Sequence, residues 1–145
     1  MKKLLFVVVA MLVSITTLSA EERVIDKSQL PMSAQSFIKE YYPNDKVSLA
    51  TMEKSVLDKD YKVILTNGVK VEFDGKGNWS SVECKKGSQV PAEIIPANIN
   101  SYVKSSFPKS KIEKIERDKR FIDIDLNNDI ELKFNLKGAL VEFDS

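Results

Sequence analysis

The stretch TNGVKVEFDGKGNW, residues 66–79, is typical of two β-strands joined by tight turns, and most of it recurs later in the chain. Its counterpart, NNDIELKFNLKGAL, occupies residues 127–140 and has the same alternation of apolar and polar side chains. Alternation with a period of two indicates a strand with one buried face. The two stretches therefore predict two similar β-rich halves within one short chain.

Each half also begins with a helical pattern. The segments LPMSAQSFIKEYYP (30–43) and IPANINSYVKSSFP (95–108) carry apolar residues at i, i+3, i+4 and i+8. That spacing places the apolar side chains on one face of a helix. A proline opens each pattern, where a missing N–H costs little, and a second proline ends it. We expect one amphipathic helix at the start of each half.

Four strands are predicted after each helix. They are VSLATME, YKVILT, VKVEFD and WSSVEC in the first half, and KIEKIER, FIDIDL, IELKFN and ALVEF in the second. Asn67-Gly68 predicts a type I′ hairpin turn, because both central residues of that turn need positive φ. The predicted fold class is α+β, with two tandem repeats, each an N-terminal helix packed on one face of a four-stranded antiparallel sheet. The other face of each sheet is expected to face water.

The domain boundaries follow from these patterns. Residues 1–20 combine an early lysine pair, an apolar run and small residues, which predicts a secretory signal peptide cleaved near Ala20, with cleavage after Ser19 as the alternative. The apolar run is too short for a membrane span. Residues 21–84 form the first predicted repeat, 85–94 a linker and 95–145 the second repeat. We expect a protein of the periplasm or a secreted one.

The composition excludes several kinds of site. The chain has no histidine, which rules out a Ser-His-Asp triad, a Cys-His pair and a histidine-ligated zinc site. Cys84 is the only cysteine, so an internal disulfide is excluded, and its position in a strand predicts a buried thiol. Acidic and basic residues nearly balance, which leaves no basic field for nucleic acid. We expect no enzyme, no cofactor and no dedicated metal ligands.

A partner-binding surface is predicted on the open face of the first half. By parity Ile64, Lys70 and Glu72 point away from the buried face, and strand pairing predicts that Trp79 lies beside them. An exposed tryptophan in such a face is typical of a binding hot spot. The alternative is a turn that slips the register by one residue and buries the indole.

A second candidate surface is acidic. Asp123, Asp125 and Glu131 share the open face of the second half by parity. They could bind a cation or a basic partner, whereas an ordinary solvated sheet face has the same sequence pattern. The acidic face therefore supports the alternative function of a small-ligand or cation-binding periplasmic protein.

The helix pattern and YKVILTNGVKVEFDGKGNW, with its second-half counterpart, resemble the PepSY-like family of exported bacterial proteins, which is similar to the β-lactamase inhibitor protein. The resemblance covers about residues 30–144. It implies helices behind one antiparallel sheet and a non-catalytic binding or inhibitor-like role, with an envelope protein such as a protease or hydrolase as partner. The second half departs from the pattern at Asn135 and Leu140, where the first half has Asp74 and Trp79. The site is therefore expected in the first half alone, or the two halves have different targets.

Overall fold

Helical and extended segments follow one another in the order that the hydrophobic patterns predict. The structure, a computed structural model, describes residues 21–145, so the predicted signal peptide lies outside the described residues. The helices are α1 (Met32–Tyr41) and α2 (Ala97–Ser106). The strands are β1 (Glu21–Ile25), β2 (Val47–Lys54), β3 (Lys59–Leu65), β4 (Lys70–Phe73), β5 (Trp79–Glu83), β6 (Ile112–Arg117), β7 (Phe121–Leu126), β8 (Glu131–Asn135) and β9 (Leu140–Asp144). Neither helix in this range is long and apolar enough to cross a membrane.

All nine strands form one antiparallel sheet, and their order in the sheet is their order in the chain. The α+β class is confirmed, whereas the layout of two tandem repeats, each with a four-stranded sheet, is not. Strands β5 and β6 join the two halves, with Val82 opposite Ile115. Strand β1 pairs with β2 and adds a ninth strand that the sequence did not predict. Its sequence, EERVI, begins with three charged residues and lacks the alternation that identifies the other strands.

Both helices lie on the same face of this sheet and bury its apolar side chains. The edge of Phe73 in β4 contacts the ring of Phe37 in α1, with centroids 5.6 Å apart. In the second half Phe134 of β8 makes the same edge-to-face contact with Tyr102 of α2, also at 5.6 Å. Such aromatic pairs add to the free energy gained from burial alone. One continuous core therefore runs beneath both helices.

The loop between the last two strands of each half is fastened to the start of the helix. Ser33 Oγ in α1 donates a hydrogen bond to the carbonyl oxygen of Lys76 at 2.6 Å. Asn98 Nδ2 in α2 donates one to the carbonyl oxygen of Lys137 at 2.9 Å. The glycine that follows each lysine has a positive φ, which lets the loop approach the helix closely.

The hairpin turns differ from the predicted type. In the β3–β4 loop Gly68 has a φ of +88° but Asn67 does not have a positive φ, so the type I′ prediction is wrong. In the β7–β8 loop Asp129 is the non-glycine residue with positive φ, at +64°. Three residues lie between the hydrogen-bonded residues Leu65 and Val69 in one loop and between Leu126 and Ile130 in the other, and the third of them is left-handed. This is a common hairpin geometry that needs only one positive φ.

Replacing Asp129 with glycine is expected to stabilise the protein by up to about 1 kcal/mol, because glycine adopts a left-handed conformation without steric strain. Chemical denaturation measures the change. The matched control is Asn128→Gly in the same loop, where φ is not positive and glycine only adds freedom to the unfolded chain. A loss of stability in Asp129→Gly would contradict the assigned turn geometry.

The single cysteine is buried at the end of β5. Cys84 has 8 % of its surface exposed, and burial raises the pKa of its thiol to about 11. Since the thiolate is the reactive species, Cys84 remains protonated and unreactive at neutral pH.

Candidate functional site

The face of the sheet opposite the helices carries most of the polar side chains singled out in the sequence. In the first half, Lys62 lies opposite Glu72 and Ile64 lies opposite Lys70 across strands β3 and β4. All four side chains are half-buried. Ile64, Lys70 and Glu72 are therefore neighbours on one surface, and we call these three residues the open-face patch.

Trp79 does not belong to this patch, and the prediction that it lies on the open face is wrong. A β-bulge shifts the register between β4 and β5, so that Glu72 lies opposite Ser81 while Phe73 lies opposite Trp79. The extra residue, Ser80, turns the indole to the face that the helices cover. The Trp79 ring lies 6.5 Å from that of Phe37 in α1. The structure therefore contains the register slip considered as the alternative, and the indole is half-buried rather than fully buried.

On the helix side Trp79 is held by an arginine from the neighbouring strand. The guanidinium carbon of Arg117 in β6 lies 3.7 Å from the centroid of the indole. Arg117 Nε also donates a hydrogen bond to the carbonyl oxygen of Trp79 at 2.8 Å. Partial burial lowers the pKa of Arg117, which nevertheless stays charged at neutral pH. The pair links the two halves of the sheet by a cation–π contact.

The open face of the second half forms an acidic cleft of about 330 Å³. Asp125 lies directly opposite Glu131, and Asp123 lies one alternation further along β7. The parity argument therefore places these three side chains together. Three acidic residues that the sequence analysis did not single out complete the cleft, and they are Glu116 of β6 with Glu142 and Asp144 of β9. The strand register could have identified them.

Negative charge dominates this cleft. Its six carboxylates face two lysines, Lys114 and Lys133. Lys114 Nζ lies 2.6 Å from Glu116 Oε1, and Lys133 Nζ lies 3.7 Å from Glu142 Oε2. The uneven balance leaves the cleft with an excess of negative charge and a potential that attracts cations. Within residues 21–145 no three acidic or cysteine side chains are grouped so as to hold a metal ion.

Burial perturbs the acids at the centre of the cleft. The pKa of Asp125 lies above its usual range because burial disfavours the charged form and because Glu131 is close. Burial also raises the pKa of Asp123, against the opposing effect of Lys133. Both carboxylates are therefore less stable as anions than they would be in water, and a bound cation would relieve that cost.

We expect Asp125→Asn to raise the melting temperature at pH 7 and to have a smaller effect at pH 3. A raised pKa means that the folded state binds the proton more tightly, so the charge lowers stability as pH rises from the usual value of 3.8 through the folded pKa. Thermal denaturation between pH 3 and pH 8 measures the difference. Asp118→Asn is the control of opposite sign, because backbone N–H groups of Arg120 and Phe121 lower the pKa of Asp118. An equal gain at both pH values would contradict the electrostatic explanation.

The sequence model of a family described as "Putative beta-lactamase-inhibitor-like, PepSY-like" matches residues 59–142, from β3 into β9. No curated protein matches the chain.

Several solved structures share this fold. The chain is 49 % identical to a "putative calcium-regulated periplasmic protein" of Bacteroides thetaiotaomicron, with a TM-score of 0.82 over 86 % of this chain and 97 % of the other. It is 43 % identical to a "putative periplasmic protein from DUF2874 family" of Bacteroides vulgatus, with a TM-score of 0.82 over 86 % of this chain and 98 % of the other. A "putative periplasmic protein of unknown function" of Bacteroides vulgatus is 30 % identical, with a TM-score of 0.82 over 86 % of this chain and all of the other.

Proposed function

The chain belongs to the PepSY-like, β-lactamase-inhibitor-like family, and from that membership we propose that it is an exported, non-catalytic binding protein that contacts an envelope protein through the open face of its sheet. The observation that carries the proposal is the layering of the fold. Both helices cover one face of the nine-stranded sheet, and within the described residues no element covers the other. A wide, rigid and accessible face suits the recognition of a folded partner.

The open-face patch is the proposed centre of contact. Ile64 is an aliphatic side chain among charged neighbours, and Lys70 and Lys62 alternate with Glu72 around it. An apolar anchor surrounded by charges is the usual anatomy of a protein interface, in which the anchor supplies affinity and the charges supply specificity. Trp79 is left out of this surface because its ring packs on the helix side.

Export and the absence of catalysis are parts of the same proposal. The N-terminal pattern of residues 1–20 predicts export, and the similar solved structures are described as periplasmic. The chain lacks histidine, and the matched family is described as inhibitor-like. We also propose that the two helix-and-four-strand halves are tandem copies of one unit, which doubles the accessible face.

Site-specific photo-crosslinking tests the contact surface. A crosslinking amino acid at position 64, on the open face, is expected to capture one envelope protein in living cells, identified by mass spectrometry. The matched control places the same group at position 39, an exposed position on α1. Equal capture from both positions, or no defined adduct from position 64, would contradict the proposal.

Cation binding in the acidic cleft is the second candidate function. Its support is the excess of carboxylates in the cleft and the raised pKa of Asp123 and Asp125. A relative that is 49 % identical is described as calcium-regulated. Because these carboxylates are not grouped as a ligand cage, we expect weak binding that draws side chains together rather than a preformed site.

Calcium titration tests this second function. Millimolar calcium is expected to raise the melting temperature by mass action, and Asp125→Asn is expected to reduce the shift. Lys70→Gln, on the open-face patch, is the control that should leave the shift unchanged. If calcium has no effect on either melting temperature or amide exchange in β7, the cleft is not a cation site.

A further inference from the structure

Strand β9 is one edge of the sheet, and within residues 21–145 only β8 pairs with it. Three of its apolar side chains are well exposed: Leu140 at 39 %, Val141 at 54 % and Phe143 at 50 %. Phe143 stacks on Phe107 at the end of α2, with ring centroids 6.2 Å apart, but its other side is uncovered. Native proteins usually protect an edge strand with charge, proline or a covering element. In β9 the charged residues, Glu142 and Asp144, lie on the open face, whereas Phe143 lies on the helix side and is left half exposed, which indicates a surface that another strand covers.

The first half of the molecule shows what covers a strand in this position. A β-bulge interrupts the pairing of β5 with β4, and another interrupts the pairing of β9 with β8. Val82 of β5 therefore holds the place that Phe143 holds in β9, each opposite a buried residue of the preceding strand. The difference lies on the outer side, where β6 pairs with β5 and leaves Val82 fully buried, with an exposure of 0 %. An antiparallel strand with an aliphatic residue at the matching position is the covering element.

The charges of β9 indicate which residues a covering strand would carry beside its aliphatic one. At the β5–β6 junction Lys114 lies opposite Glu83, next to the aliphatic pair of Val82 and Ile115. In β9 two acidic residues, Glu142 and Asp144, stand on either side of Phe143 and form the outer wall of the acidic cleft. A strand bound to β9 would direct its polar side chains towards these carboxylates. Basic residues on both sides of an aliphatic one would be attracted, and acidic residues would be repelled.

A second copy of the chain fits this edge poorly. Antiparallel pairing of β9 with another β9 would bring Glu142 and Asp144 near their own copies beside a cleft that is already negative. On the opposite edge of the sheet, β1, Glu22 lies on the same open face and would add another carboxylate. Like charges on adjacent strands destabilise pairing, so the occupant differs in charge from this chain.

From these observations we propose that the outer edge of β9 binds an extended segment of a partner protein, in which basic residues flank an aliphatic one, as a tenth antiparallel strand. The main chain of the segment would continue the hydrogen-bond ladder, its aliphatic side chain would cover Phe143, and its basic side chains would reach Glu142 and Asp144. This mode of recognition gives affinity through the backbone and specificity through alternate side chains. The site is separate from the open-face patch and stands whether or not that patch binds a partner.

A synthetic peptide based on the sequence of β6 tests the proposal. The probe has the sequence of residues 111–117 with Glu116→Lys and blocked ends. Lysines at positions 114 and 116 then flank Ile115. The protein is produced with its own N-terminal segment and purified from the periplasm. We expect saturable binding and slower amide exchange over residues 140–144, with no change over residues 21–25 at the other edge. Protection of both edges, or of neither, would overturn the proposal.

Charge reversal supplies the matched control. The double variant Glu142→Lys/Asp144→Lys is expected to bind the probe at least about tenfold more weakly. The same variant should gain binding to a peptide of residues 111–117 with Lys114→Glu, which the unmodified protein rejects. All the replaced side chains are exposed, and unchanged melting curves would show that the variant is folded. Loss of binding to both peptides, or no loss to either, would refute the charge rule.

Two further experiments distinguish strand pairing from attraction by charge alone, and a basic partner from a second copy of the chain. A probe with methylated backbone nitrogens at alternate residues is expected not to bind, because it cannot continue the ladder; full retention of binding would show that only charge attracts the peptide. If the protein self-associates without peptide and protects residues 140–144, the occupant is a second copy, and the proposal of a basic partner is wrong.

Discussion

Phe73→Ala is expected to lower the free energy of unfolding by about 3–5 kcal/mol, which is among the largest effects that we expect from a single substitution. Phe73 has no exposed surface, and it lies opposite both Tyr61 and Trp79 in the sheet. Its ring also meets the ring of Phe37 edge to face at 5.6 Å. Truncation removes these contacts and leaves a cavity beneath α1 that neighbouring side chains, fixed in strands, cannot fill.

Chemical denaturation followed by circular dichroism measures this loss. The control is Phe143→Ala, which removes the same side chain from a half-exposed position at the sheet edge and should cost no more than about 1 kcal/mol. Phe134→Ala, the counterpart of Phe73 in the second half, should match the loss of Phe73→Ala. A similar cost at positions 73 and 143 would show that burial beneath the helices does not dominate stability.

The second large effect is expected at Gly77, in the loop that contacts the start of α1. A Cβ at this position would overlap Ser33 Oγ and lie 2.7 Å from the Cβ of Pro31. The residue also has a φ of +85°, which costs a non-glycine residue about 1–2 kcal/mol. Steric overlap in a packed contact adds a comparable amount, so Gly77→Ala should destabilise the protein by about 3 kcal/mol.

Gly87→Ala separates the two contributions to this effect. Gly87 has a similar φ, +90°, but no heavy atom lies within 4 Å of the Cβ that alanine would add. Its substitution should therefore cost only the conformational part, about 1–2 kcal/mol. The difference between the two variants measures the contact between loop and helix. Equal losses at positions 77 and 87 would show that this contact contributes nothing.

Much of the fold could be predicted from hydrophobic periodicity, and the exceptions have physical reasons. The two helices and eight of the strands follow patterns that repeat with periods of 3.6 and two residues. Strand β1 has no such pattern, because it is rich in charge, has only β2 as a neighbour within residues 21–145 and buries little. No sequence pattern predicts that the two halves join either, because the pairing of β5 with β6 depends on backbone hydrogen bonds that almost any residue can make.

The candidate site shows the same division. Parity within one uninterrupted strand places Asp123 and Asp125 on the same face, and the register brings Glu131 beside them. Alternation along β5 does not predict the face of Trp79, because a β-bulge at Ser80 adds one residue to the strand. That extra residue reverses the face on which each side chain beyond it lies. A glycine-rich loop in the sequence signals that a bulge can occur but not which residue it displaces. Predictions that cross such a loop therefore need the observed register.

The order of the strands has a consequence for how rapidly the chain folds. Within residues 21–145 every strand pairs only with its neighbours in the chain, so each hairpin closes a short loop and none of these strands waits for a distant partner. Sheets built from local pairs have low contact order, and we expect this chain to fold faster than a β-sandwich of equal length with crossed connections. For a protein threaded through a membrane from its N-terminus, the sheet could grow one hairpin at a time as the chain arrives. If the chain is exported as we propose, few unpaired edges would then be exposed to aggregation.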